Sequence, residues 1–245
     1  MKRRNVLAGL VSLLAAGCSR ATHAPASGWL GSVSEWNRKL HDLLGRKTSL
    51  AREFSIGDIS PFFRGNGSTD PDNPHYRAHA ANGFAEWRLD VRGLVGNPLS
   101  LSLAEIAALP QRTQITRHDC VEGWSAIGQW TGPQLSHVLE RAQLKPEAQF
   151  IVFHCADLLA GTPYYESIDL TDAFHPQTII AHRLNGAPMP IRNGAPLRLR
   201  VERQLGYKHA KYLTAIEAVA SLDGIGQGKG GYWEDRSGYQ WYAGI

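Results

Sequence analysis

The amino-acid sequence predicts an α+β fold of mixed sheets with short helices, gathered in one domain. Three observations point there. Short segments alternate apolar and polar residues as half-buried strands do, and they are interspersed with equally short runs of helical spacing. There is no internal repeat and no strand–helix–strand series with a glycine-rich phosphate turn, so neither a solenoid nor a doubly wound parallel sheet is indicated. The 245 residues, 43% hydrophobic and 20% charged, suit one core with appendages.

The chain opens with "MKRRNVLAGLVSLLAAGC": the cationic Lys2-Arg3-Arg4, an apolar run from Val6 to Ala16, then small residues up to Cys18. Residues 1–22 therefore read as an export signal, its apolar run too short to span a bilayer. Arg3-Arg4 followed by Asn5-Val6-Leu7 resembles a twin-arginine signal, which exports proteins already folded and implies a periplasmic location. Cys18, after Ala15-Ala16-Gly17, is either the lipidated residue of a lipoprotein-type box or is discarded with the signal. Residues 23–53 hold a linker, within "ATHAPASG", and an amphipathic helix on which Trp29, Val33, Trp36, Leu40, Leu43 and Leu44 recur at spacings of three and four.

Residues 54–245 form the domain itself. From Phe54 to Asn82, Gly, Asn, Pro and Asp are frequent enough to predict loop. "EWRLDVRGLV" alternates like a strand, and "SLAEIAAL" reads as a short capped helix. "WTGPQLSHVLERAQL" predicts a helix from near Pro133. "QFIVFHCAD" predicts a buried strand whose end carries His154, Cys155 and Asp157, and "PLRLRVERQ" an alternating strand. Beyond Ser221 the tail is rich in glycine and aromatics.

Net charge of +4 and pI near 9.0 favour an anionic ligand without the dense Lys/Arg runs of a nucleic-acid binder. Three cysteines are too few for a disulfide framework, which draws attention to Cys120 in the polar, loop-like "TRHDCVEGWSAIGQWTG". A thiol there serves as nucleophile, soft-metal ligand, or half of a Cys120–Cys155 disulfide. Zinc is poorly served: His118 and Cys120 with His154-Cys155 lack the usual paired spacings. In "RNGAPLRLRVERQLGYKHAKYL", Arg198, Arg200, Lys208 and Lys211 suit a phosphate-bearing ligand, although periodicity alone favours a strand with a solvated arginine face.

"HDCVEGWSAIGQWTG", the stretch "HPQTIIAHRLNGAPMPIRNGAPLRLRVERQLGYKHAKYL" and the end "GYQWYAGI" together resemble the molybdopterin-binding domain of the sulfite oxidase family. The similarity spans roughly Phe54 to Ile245 and is strongest to the short exported branch, which includes the methionine sulfoxide reductase catalytic subunit. The resemblance implies that Cys120 is a thiolate ligand to molybdenum in a molybdenum–molybdopterin cofactor. It further implies pterin contacts from Asn193 and Arg198, a phosphate cradle at His209-Ala210-Lys211 preceded by Gly206 and Lys208, and an N-terminal turn at Phe63, Arg64 and Asn66. Ser60 stands where that branch has Asn, and Cys155, also placed among the cofactor contacts, where it has Thr.

The arginine-rich stretch that follows the ligand cysteine in sulfite oxidases is replaced here by Val121-Glu122-Gly123-Trp124, which argues against a sulfite anion as substrate. The resemblance thus implies two-electron oxygen-atom transfer, with an S-oxide or N-oxide reduced, the substrate being a small molecule or protein-bound. No C-x-x-C-H is present, so electrons come from a separate partner, a membrane haem protein or a soluble cytochrome. Glu122, Trp124, Trp130, Trp233, Tyr239, Trp241 and Tyr242 are candidates to line the mouth. The alternatives are a sulfite-oxidising dehydrogenase, or a non-catalytic exported anion-binding protein with a Cys120–Cys155 disulfide.

Overall fold

The computed structural model describes residues 49–245; the predicted export signal and nearly all of the 23–53 segment, through residue 48, lie outside them. Within the segment expected to be loop, residues 74–81 form a helix, α1 (Pro74–Ala81). Asn73 Oδ1 accepts from the backbone N–H groups of His75 (3.0 Å) and Tyr76 (3.3 Å), and Pro74 occupies the first helical position. Both features start a helix. β1 (Arg88–Gly93) and β2 (Leu99–Ser102) pair antiparallel, and α2 (Leu103–Ala108) follows at once. It is the helix expected in "SLAEIAAL": Ser102 caps it, and Ser102 N–H donates to Glu105 Oε2 at 2.8 Å.

The stretch around Cys120 is a long hairpin instead of a loop. β3 (Gln111–Cys120) and β4 (Trp124–Pro133) pair without a break from Gln111↔Pro133 to Cys120↔Trp124. The turn Val121-Glu122-Gly123 leaves Cys120 as the last strand residue, at the hairpin's tip. On β3 the residues facing inward are Gln114, Thr116, His118 and Cys120. Their period of two is that of any strand, but their polarity conceals it, because the layer they face is polar too.

α3 (Leu135–Ala142) buries Leu135, Val138, Leu139 and Ala142, the i, i+3, i+4, i+7 stripe of an amphipathic helix. Replacing one such leucine by alanine removes about 2–5 kcal/mol. β5 (Phe150–Leu159) and β6 (Thr162–Asp169) form a second hairpin and lead into α4 (Leu170–Ala173). The strands β7 (Ile179–Ala181), β8 (Arg183–Leu184), β9 (Ala187–Pro188) and β10 (Arg198–Arg200) are brief. β11 (Leu213–Val219) and, in the aromatic tail, α5 (Tyr232–Ser237) complete the chain.

The sheets run β2-β1-β11-β5-β6, β3-β4-β8-β9 and β10-β7, and β1 pairs with β11 in parallel. The mixed-sheet, short-helix architecture expected from the sequence is therefore present. The larger core packs Leu89, Val91, Phe153, Ile168, Leu213 and Ile216 of the five-stranded sheet with the α3 stripe; a smaller one gathers Phe63, Trp130, Ile179 and Leu184. β10 departs from expectation. All three of its residues are buried, so Arg198 and Arg200 form no solvated face. Among the described residues, no helix is long and apolar enough to cross a membrane.

Candidate cofactor site

A cavity of about 170 Å³ opens at the tip of the β3–β4 hairpin, lined there by Cys120, Val121 and Glu122. Opposing elements bring Asn66, Gly67 and Ser68 from the N-terminal loop, and Gly206, Tyr207, His209 and Lys211 from the turn before β11. Asp157 and Leu159 of β5 join Tyr164 of β6 and the C-terminal Trp233 and Tyr239. Asp157 reaches this position through an irregularity in β5: the pairing with β6 slips between His154 and Leu158, and the bulge turns the strand.

One side of the site is cationic and buried. Arg200 is satisfied: Nε donates to Glu202 Oε1 at 2.9 Å, Nη2 to Glu202 Oε2 at 2.6 Å, and Nη1 to His118 Nδ1 at 2.9 Å. Arg198, two residues earlier, meets no carboxylate among the described residues. Its Nη1 donates to the Asn193 carbonyl at 3.0 Å and its Nη2 to Asn66 Oδ1 at 3.4 Å, while Nε has no partner. Burial, reinforced by Arg200, pulls the Arg198 guanidinium down to about 9. Lys211 Nζ donates to the carbonyls of Asn66 and Ser68. Burial and then Arg198 bring its ammonium down to about 7, and burial raises the Asp157 carboxyl to about 6 against the pull of Lys211.

Because His118 Nδ1 accepts from Arg200, its proton resides on Nε2, which, like the buried Asn193 Nδ2, has no partner among the described residues. Burial, then the charge of Arg198, keeps His118 neutral, well below its ordinary value. Two glycines permit the close packing. A Cβ at Gly206 would sit 2.5 Å from His118 Nε2, and Gly194, at φ +114°, would place one 2.9 Å from Lys211 Cγ. The buried Cys120 thiol is raised by desolvation, a shift that Arg198 and Arg64 oppose.

Of the residues singled out from the sequence, Asn66, Cys120, Gly206, His209 and Lys211 line the cavity, with Asn193 and Arg198 behind Asn66. Ala210 is buried, its carbonyl accepting from Leu199 N–H at 2.8 Å. Phe63 packs edge-on against Trp130 at 4.9 Å, and Arg64 lies 5.9 Å over Trp124. Lys208 is outside the lining, because two buried carboxylates hold it. Cys155 faces two other cavities, and both it and Cys120 are free thiols, which removes the disulfide alternative. His154 Nε2 meets Glu217 at 2.7 Å, so the zinc set is not assembled either. Of the candidate mouth residues, Glu122, Trp233 and Tyr239 line the cavity; Trp130 is fully buried, and Trp241 Nε1 is engaged by Ser167 Oγ at 2.8 Å. Trp124, whose Nε1 donates to Glu122 Oε2 at 2.9 Å, and Tyr242 are not in the lining. Sequence reasoning gave no role to Asp157, Tyr164 or Tyr207.

Residues 75–223 match the family of the oxidoreductase molybdopterin binding domain. Similar proteins include the putative protein-methionine-sulfoxide reductase subunit YedZ1 of Azospira oryzae, 36% identical over 99% of this chain and 86% of that one. The protein-methionine-sulfoxide reductase catalytic subunit MsrP of Xanthomonas axonopodis is 35% identical over 71% of this chain, which spans 56% of that relative's length. MsrP of Campylobacter jejuni is 34% identical over 54% of this chain and 48% of its own. Among solved structures, the sulfane dehydrogenase SoxCD of Paracoccus pantotrophus superposes with a TM-score of 0.51 over 56% of this chain and 39% of its own, at 21% identity, which shows the fold.

Proposed function

The chain belongs to the family of oxidoreductase molybdopterin-binding domains, and from that premise we propose that it is the catalytic subunit of an exported molybdenum enzyme that reduces an S-oxide. One observation carries the cofactor assignment: a buried thiol at a cavity wall, backed by two cations bonded to carbonyl and amide oxygens and by donors left without partners among the described residues. Asn193 Nδ2, Arg198 Nε and His118 Nε2 are all unsatisfied, and buried donors are rarely left so. A polar, phosphate-bearing pterin suits such a wall. Arg198 and Lys211 would hold anionic oxygens, Asn66, Asn193 and His209 polar edges, and Cys120 the metal, which displaces the thiol proton as bound metals do. When bound, the group supplies the two-electron redox change.

The substrate class follows from the rest of the lining. Reducing R₂S=O to R₂S and water consumes two protons and two electrons. The remaining walls are apolar and aromatic, from Val121, Leu159, Trp233 and Tyr239, and Glu122 adds a carboxylate. Among the described residues no arginine stands in this part of the lining, Arg198 lying behind Asn66. An uncharged sulfoxide suits these walls, whereas a sulfite anion meets the Glu122 carboxylate. Asp157, raised to about 6, is a group that gains and loses a proton just below neutral pH. The relatives named as methionine sulfoxide reductase subunits support the same class, and a substrate carried on a protein. As in a subunit, electrons would come from a separate partner, such as a membrane haem protein. The export reading rests on residues 1–22, whose twin-arginine-like pattern would send the folded enzyme to the periplasm.

The test is elemental and pterin analysis of wild type beside Cys120→Ser, followed by turnover with reduced viologen on methionine sulfoxide and on sulfite with an oxidant. Molybdenum near one per chain, with sulfoxide consumed and sulfite untouched, is the expected result. Folded wild-type protein without molybdenum or pterin, or one that turns over sulfite alone, would defeat the proposal.

A further inference from the structure

Behind one wall of the cavity lies a charge cluster that the proposed chemistry does not use. Lys208 Nζ is 2.6 Å from Glu166 Oε2 and 2.7 Å from Glu234 Oε1, and all three side chains are at most 1% exposed. Fully ionised, two carboxylates and one ammonium would leave a net negative charge in a dry site, which is strongly unfavourable. Burial above all holds the Glu166 carboxyl well above the ordinary range; Lys208 opposes that shift and Glu234 adds to it. A proton kept on Glu166 makes the cluster neutral.

Each member adjoins a residue that lines the cavity. Glu166 is two residues beyond Tyr164 on β6, Lys208 lies between Tyr207 and His209, and Glu234 follows Trp233 on α5. Gly231 seals the join, since a Cβ there would meet Glu234 Oε2 at 2.2 Å and Glu166 Oε2 at 2.6 Å. The C-terminal segment fastened in this way begins where the family match, at residue 223, ends. It carries Trp233 and Tyr239, whose rings stack 5.7 Å apart at 23°.

We propose that Glu166, Lys208 and Glu234 form a positioning clasp that seats the C-terminal segment, so that the Trp233–Tyr239 pair becomes the substrate-gripping wall of the Cys120 cavity. The clasp rests on the S-oxide reading and deepens it. A flat aromatic pair binds uncharged, polarizable sulfur substituents through contact area and dispersion, and so sets affinity rather than turnover.

The test uses the cofactor-loaded enzyme and methyl phenyl sulfoxide. Glu234→Ala leaves a neutral Lys208–Glu166 pair, so the domain still folds. Trypsin is expected to cut this variant at the exposed Lys229 and Arg236 at least about tenfold faster than wild type, as the loss of charged hydrogen bonds implies. Its KM is expected to rise about tenfold with kcat held within about twofold. Trp233→Ala should reproduce the KM change without faster cleavage. Glu234→Gln keeps an acceptor for Lys208 and offers an amide proton to Glu166, and should restore both readouts; an acid–base role would not survive that change. Glu234→Ala with wild-type cleavage and KM, or with kcat lost at unchanged KM, overturns the proposal. Wild type inactive on every sulfoxide would sink the S-oxide reading, and the cleavage rates would still decide the clasp.

Discussion

Two regions of this protein are equally buried and oppositely composed. In the five-stranded sheet, Leu89, Phe153, Ile168 and Ile216 are 0% exposed; around β10, so are Arg198, Arg200 and Lys208. An aliphatic side chain gains by leaving water whatever its neighbour, so the first region is complete in itself. A buried cation gains only from a partner, so the second is as complete as its pairings. Arg200, gripped by Glu202 and His118, is finished; Arg198, without a carboxylate, is not. The unfinished member of an otherwise paired layer is where the proposed cofactor would supply the missing partner.

The sharpest break in that contrast is Arg200→Ala. It leaves the Glu202 carboxylate in a dry site with the Gln114 amide but no described counter-charge, and should lower cofactor-free stability by about 3–5 kcal/mol in urea unfolding. Arg198→Ala strands no carboxylate, so the cofactor-free protein should lose much less; the variant's deficit should appear instead as pterin missing from the purified enzyme. Cys120→Ser is expected to reduce turnover at least about 100-fold, since even partners one shell out from a metal are worth about 10–100-fold; equal turnover per molybdenum would refute the ligand assignment.

The pH dependence of the cofactor-free protein sharpens the comparison further. Lys211 is lowered from 10.5 to about 7. Between those values the unfolded chain binds more protons, so stability should rise with pH, by at most about 1.4 kcal/mol per unit. Asp157, raised from 3.8 to about 6, acts in the opposite sense, and stability should fall as pH climbs through that window. A thermal melt series should therefore dip near neutrality, and Lys211→Met should flatten the alkaline limb. The smallest change belongs to the self-sufficient half: Ser102→Ala, which removes the α2 cap, should cost about 1 kcal/mol with turnover unaltered.

The same contrast explains what was legible in the sequence. α3 and β1 were readable because their buried faces are apolar and the period shows. β3 was not, because Gln114, Thr116, His118 and Cys120 keep the period with polar side chains. β10 looked like a strand with a wet arginine face, and nothing in the spacing of Arg198 and Arg200 tells a solvated guanidinium from one lying 4.2 Å over the Trp130 ring, as that of Arg200 does. For α1, the signal was present in Asn73-Pro74 and was outweighed by the surrounding glycines and asparagines. In the site, Cys120 and Lys211 stood out by residue type, and their particular roles came with the family resemblance. Asp157 depends on a bulge and the Glu166–Lys208–Glu234 cluster on a pairing of three distant elements, and neither leaves a local trace.

The parallel pairing of β1 with β11 sets a clock on assembly. Arg92 and Glu217 meet across it from 125 residues apart, which at about 5–20 residues per second is roughly 6–25 s of synthesis. Through that interval the β1–β2 hairpin waits without its neighbour. The residues that end the wait begin just past Lys211, so the sheet closes and the cationic wall is completed in the same few residues. A chain cut short of Lys211 thus has neither a closed sheet nor a completed cationic wall.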